Sequence, residues 1–178
     1  SLARPMLVTK THETPDCRSE AIYSECGLYR YRLTRVWNAT AGRIVFVMLN
    51  PSTASEKVND PTIARCEKRA RLLGFGTLDV VNLFAFRATA PEDLRAAEAP
   101  VGPENDGFLS RACDEADMVL AAWGVHGTHR ARDKEALALM APAQDRLYAL
   151  GLTRHGLPRH PLYVSYAQKP QHFVVNAG

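Results

Sequence analysis

Four short stretches of this sequence carry side chains able to bind or orient a reacting group. They are Asn50-Pro51-Ser52-Thr53, Asn82-Leu83-Phe84, Trp123-Gly124-Val125-His126 and Pro158-Arg159-His160-Pro161. An asparagine offers both a donor and an acceptor, so a fixed one can read the edge of an amide or a nucleobase. Pro51 restricts the turn after Asn50 and helps fix where that amide points. Asn82 interrupts the apolar run Val80-Val81-Asn82-Leu83-Phe84, and a buried amide left without partners costs about 1–3 kcal/mol. It therefore pairs with neighbouring backbone or reads a ligand. Ser52 and Thr53 suit either a helix cap or a phosphate contact. Trp123 and Phe84 suit either closure of the core or stacking on a ligand. Asn50 and His160 also admit plain readings, as a turn residue and a surface-loop histidine.

Positioning these residues falls to the elements around them. Ile44 to Leu49 is an almost unbroken apolar run that delivers Asn50, and residues 77–86 and 117–124 read as two further apolar strands. Residues 28–37 alternate as a half-buried strand, antiparallel or at an edge. Residues 60–76 read as a helix, with Asp60 as N-cap, Pro61 in the first turn and Gly74 as its stop. Thr89 and Glu92 stand at capping-box spacing for a helix over 89–98, and helices are predicted over 102–116 and 129–141. Residues 145–150 and 160–165 are short strand or loop candidates. Alternating strands and helices predict a three-layer α/β/α sandwich around a mainly parallel sheet of about four strands. In such folds ligands bind at the carboxyl ends of the strands. Residues 1–16 lack periodicity and are expected to form an N-terminal arm, with residues 17–178 as a single α/β domain.

A chain of 178 residues with 22 basic and 19 acidic side chains carries a formal charge of +3, too little by itself to imply a polyanionic partner. Cys17, Cys26, Cys66 and Cys113 form no CxxC pair. Without an apolar stretch near membrane-spanning length, the reading is a cytoplasmic protein with reduced thiols and no membrane partner. No phosphate-binding P-loop, dinucleotide fingerprint, nucleophile elbow or HExxH motif occurs. His126 and His129 lack a third ligand nearby, so no metal and no organic cofactor is expected.

Six ordered motifs, FVMLNPSTA, DPTIARC, VVNLFAFRAT, GPEND, AAWGVHG and GLPRHPLY, resemble the bacterial and phage family catalogued as domain of unknown function 1643, over about residues 20–170. MLNPS, VVNLF, AAWG and RHPLY also follow the motif order of the uracil-DNA glycosylase superfamily, and that more distant similarity implies a fold and roles. Asn50 would hold the attacking water. Asn82 would bond the edge of an extruded base, and His160 would donate to the oxygen of the departing base. Tyr163 or Tyr166 would wedge into the opened stack, and Arg30, Arg32 and Arg159 would meet phosphates. The sequence departs from that superfamily at Leu49, in place of a glycine, and in lacking a phenylalanine over residues 54–74.

The resulting expectation is a nucleobase-recognising protein acting as an N-glycosylase on a modified base in DNA. Two alternatives stay open: a non-catalytic module binding a nucleotide or nucleic acid, and a hydrolase or transferase acting on free nucleosides or nucleotides. Asn50 in place of a carboxylate, and the missing ring, favour the module. The sequence gives no oligomeric state. The discriminating feature is whether Asn50, Asn82 and His160 share one cleft.

Overall fold

The computed structural model describes residues 6–175. The first five residues of the expected arm and the last three of the expected domain lie outside that range. Eight strands form one sheet: β1 (Leu7–Glu13), β2 (Arg18–Ser24), β3 (Arg30–Val36), β4 (Arg43–Met48), β5 (Thr77–Asn82), β6 (Met118–Ala121), β7 (Leu147–Ala149) and β8 (Gln171–His172). Their spatial order is β1-β2-β3-β5-β4-β6-β7-β8. The helices are α1 (Pro61–Leu72), α2 (Pro91–Ala96), α3 (Asn105–Glu115) and α4 (Arg132–Leu139).

This sheet corrects the expectation of a mainly parallel sheet of about four strands in a glycosylase-like sandwich. It is mixed, and four of its seven neighbouring pairs are antiparallel: β1–β2, β2–β3, β3–β5 and β7–β8. The pairs β5–β4, β4–β6 and β6–β7 are parallel. The difference has a physical origin at the amino-terminal side. Strand β1, within the segment expected as an arm, pairs along its whole length with β2, and only Val8 and His12 on it are partly covered. An exposed edge strand of that kind leaves almost no apolar pattern to read. On β2 the covered face carries Ser19, Ala21 and Tyr23, too polar and small a set to show apolar alternation.

Strand β3 lies between β2 and β5, antiparallel to both. It is more deeply buried than a half-covered strand, because Arg30, Arg32 and Arg35 are all buried. Alternation along β4 feeds two apolar clusters. Ile44, Phe46 and Met48 join Leu78, Val80 and Ile63, Cys66 and Ala70 of α1. Val45 and Val47 join Val81, Val119 and residues of α3 and α4. Burying each such large side chain contributes about 1.5–3 kcal/mol.

Element boundaries follow local chemistry. Asp60 caps α1, its Oδ1 accepting the Ile63 N–H at 2.8 Å. Gly74, with φ +87°, follows the end of α1 and allows the chain to turn away. Gly76 answers a different demand, since a Cβ there would fall 1.8 Å from the Asn38 carbonyl oxygen. The expected capping box at Thr89 does not form. Ala90 occupies the N-cap with no side-chain bond, and Pro91 fixes the first turn instead. All four cysteines are free, and burial pushes the thiols of Cys66 and Cys113 up, which keeps them protonated. Among the described residues no helix is long and apolar enough to cross a membrane.

Candidate functional site

The parallel strands β4 and β5 end side by side, with Met48 in register with Asn82. Between their carboxyl ends, the start of α1 and the loop before the 3₁₀ turn Pro161–Tyr163 lies a cleft of about 310 Å³. That is near the lower end of small-molecule sites, roughly 300–1,000 Å³. Asn50, Asn82 and His160 all line it, together with Arg30, Pro51, Ser52 and Tyr163.

Each of the three central side chains is held differently. The Asn50 amide nitrogen donates to the carbonyls of Pro51 at 3.0 Å and Ala88 at 2.8 Å. Both amide hydrogens are thereby used and Oδ1 is left as an acceptor. Asn82 is 1 % exposed, yet neither its Oδ1 nor its Nδ2 has a hydrogen-bond partner. Its backbone is fixed from behind, where the Asn105 amide donates to the carbonyls of Asn82 at 2.8 Å and Leu83 at 3.0 Å. His160 accepts the Leu162 N–H on Nδ1 at 3.2 Å. That bond assigns the remaining ring proton to Nε2, so the neutral imidazole has one donor to offer.

Burial pushes the His160 pKa below its ordinary value of 6.5, with the Asp60 charge opposing the shift. The unfolded chain therefore takes up this proton at higher pH than the folded one. His160 contributes stability that is present above pH 6.5 and is lost as pH falls through the lower folded value. Denaturation curves between pH 7.5 and 5 are expected to show that loss in the wild type and a shallower one in His160→Asn, whose amide oxygen can still accept the Leu162 N–H. Parallel slopes in the two proteins would contradict it.

Asp60 is the site residue that the sequence reading assigned only to helix capping. It lines the cleft while its two oxygens accept the N–H groups of Ile63 and, at 3.2 Å, Ala54. The capping signal was visible in the sequence, whereas its place in the cleft depends on how residues 51–59 fold back. Arg35 pins that loop by donating to the carbonyls of Ser55 at 2.8 Å and Val58 at 3.1 Å, and Tyr23 does so through Glu56 at 3.1 Å. His126, at the end of the third expected strand-end stretch, also lines the cleft, with Nδ1 3.0 Å from an Arg95 nitrogen. Among the described residues no group of three or more His, Cys, Asp or Glu is placed to hold a metal.

Other expected site residues lie elsewhere. Phe84 is fully buried in the core beside His129, and Trp123 is 1 % exposed, packed on Gly127 and edge-on to Phe173. Both side chains close the core. Thr53 is exposed and does not line the cleft, and Arg159 is exposed outside it. Arg32 meets no solvent-facing phosphate path, being bound to Asp79 at 3.1 Å and Glu115 at 2.8 Å. Tyr166 sits beneath Arg65, Lys68 and Arg69. Tyr163, 84 % exposed at the cleft, is the free ring of the pair.

A family model described as "Protein of unknown function (DUF1643)" matches residues 30–162, a span that contains every cleft residue named above except Tyr163. The chain belongs to the DUF1643 family. No curated protein matches the chain. In this DUF1643 protein the matched span begins at Arg30, the first residue of β3, and ends within the 3₁₀ turn that follows His160. The cleft therefore belongs to the family region, whereas β1, β2 and β8 lie outside it.

Proposed function

We propose that this protein recognises a nucleobase in the cleft and cleaves its N-glycosidic bond. The observation that carries the reading is Asn82: a buried amide lining a cleft, with donor and acceptor both unpaired. Such a group costs stability in the free protein and recovers it by pairing with a complementary amide-like edge. A base reaches a cleft of this kind by leaving its stack.

The remaining groups suit the bond cleavage. As the glycosidic bond breaks, its electron pair leaves on the base, and the Nε2–H of His160 supplies a hydrogen bond to the oxygen that gains charge. The free Oδ1 of Asn50 orients a water, although an amide cannot take its proton. The Asp60 carboxylate faces the positive charge that develops on the sugar. The water oxygen bonds to the anomeric carbon, and the water proton ends on the released base. Tyr163 offers a ring at the mouth, and a groove sharing Ser52, Ala88 and Thr89 with the cleft carries Arg87, a cation suited to a phosphate backbone.

The test is base release from single- and double-stranded oligonucleotides carrying uracil, hypoxanthine, xanthine, oxidised or alkylated bases. Release is expected from wild type and is expected to fall at least 100-fold in His160→Ala and in Asn50→Ala. A folded wild type that binds these oligonucleotides and releases no base would move the reading to a non-catalytic nucleic-acid-binding module. Release from free nucleosides or nucleotides alone would move it to a monomer hydrolase.

A further inference from the structure

Arg30 lines the same cleft, and no contact within the protein accounts for its charge. It is 1 % exposed, its Nη1 donates to the Ala54 carbonyl at 2.9 Å, and its Nε has no partner. Among the described residues no carboxylate stands within ion-pair distance of it. The other deeply buried arginines are provided for. Arg32 pairs with Asp79 and Glu115, Arg132 with Asp106 and Arg35 with Glu67, while Arg69, whose Nε is likewise unpartnered, donates to three backbone carbonyls. Burial pushes the Arg30 pKa down to about 10, with Tyr23 and Asp60 opposing, so the side chain keeps its charge at neutral pH.

The backbone is bent to put it there. Pairing of β2 with β3 slips by one residue between Ile22 and Tyr23, whose partners are Arg32 and Arg30. Tyr31 is the extra residue of this bulge. Its ring stacks on Phe108 of α3 at 5.1 Å, while Arg30 is turned to Ala54 and the cleft. Bulges beside sites commonly re-aim a side chain in this way. A buried guanidinium without an acid is costly unless a bound group completes it.

Building on the nucleobase reading of this cleft, we propose that Arg30 reads a negative charge carried by the base itself, as a ring carboxylate or an ionised ring edge. Arg30 and Asn82 are alike in being 1 % exposed, so they meet the part of the ligand that goes deepest. The phosphates of a polymer stay at the mouth, near Tyr163 and Arg87. The planar fork of arginine suits a carboxylate or an ionised amide edge, which it can bind through two parallel bonds.

The test is calorimetric titration of the full chain with uracil, its 5-carboxylate and 6-carboxylate derivatives, and inorganic phosphate. Wild type, Arg30→Met and Arg30→Lys are compared. One of the two carboxylated bases is expected to bind wild type at least tenfold tighter than uracil. Arg30→Met is expected to abolish that preference, and Arg30→Lys to retain part of it. Should Arg30→Met not fold, a reduced preference in Arg30→Lys carries the same conclusion. Equal binding of neutral and charged bases, unchanged by either variant, would overturn the role of Arg30 and leave the nucleobase reading standing. Arg30-dependent binding of phosphate with no binding of any base would overturn both.

Discussion

Asn82→Leu is expected to make the free protein more stable while removing its hold on a nucleobase. In the free protein the side chain of Asn82 is enclosed, with its oxygen and nitrogen both unpaired. Each such group costs about 1–3 kcal/mol. Leucine keeps the same branching at Cγ and has no polar atoms, so the substitution removes that cost. A gain of at least about 1 kcal/mol is expected, which raises Tm by roughly 2–4 °C in a chain of this size. Loss of the donor and acceptor together should weaken base binding at least 100-fold, because a site built around hydrogen bonds rejects a partner it can no longer pair. Thermal denaturation and titration calorimetry on the same two proteins check both halves. An Asn82→Leu protein that is less stable and still binds would show that the amide serves the fold.

The second large effect belongs to Asp79, and its sign is opposite. Asp79 is fully buried on β5 and accepts from Arg32 of β3 through two bonds of 3.1 Å, from Arg43 of β4 at 3.0 Å and from Thr34 of β3 at 2.6 Å. One carboxylate thus joins three adjacent strands, including the antiparallel junction of β3 with β5. Asp79→Ala removes the acceptor and leaves the Arg32 guanidinium with Glu115 alone. Breaking a buried pair by deleting one partner costs about 3–5 kcal/mol. Urea denaturation should register a loss of that order. A loss below about 1 kcal/mol would show that the network acts like exposed ion pairs, which contribute little.

These two residues also show what a sequence can and cannot disclose. Asn82 was legible because an amide inside an apolar strand contradicts its surroundings, and the contradiction is local. Asn50 and His160 were legible for the same kind of reason, standing at the end of a buried strand and beside a proline-bounded turn. Asp79 and Arg32 were not. Nothing in the segment containing Arg32 signals a carboxylate 47 positions later, so the arginine reads as a free cation suited to phosphate. Asp60 was half legible: the capping geometry is local, but its entry into the cleft depends on Arg30 and Arg35 drawing in the loop before it.

The sheet divides along the same line. Strands β4, β5 and β6 declare themselves by apolar runs, since they are buried on both faces. Strands β1 and β2 join the sheet through backbone hydrogen bonds, which leave no mark on residue type. The sequence therefore discloses the parallel centre and, by the alternation of residues 28–37, the antiparallel strand β3, but not β1 and β2. Trp123 and Phe84 stand at strand ends, where residue type suits a ligand and a core equally well. Only packing on Gly127 and beside His129 separates the two.

We propose above all that Asn82 pairs with the edge of a base held in the cleft that it shares with Asn50 and His160. A crystal structure of the protein with a bound free base tests it most directly. The base is expected at the carboxyl ends of β4 and β5, with one N–H and one acceptor of its edge within hydrogen-bond distance of the Asn82 amide and the His160 Nε2 donating to a carbonyl oxygen of the base. A base bound elsewhere on the protein, with the Asn82 amide still unpaired, would contradict it.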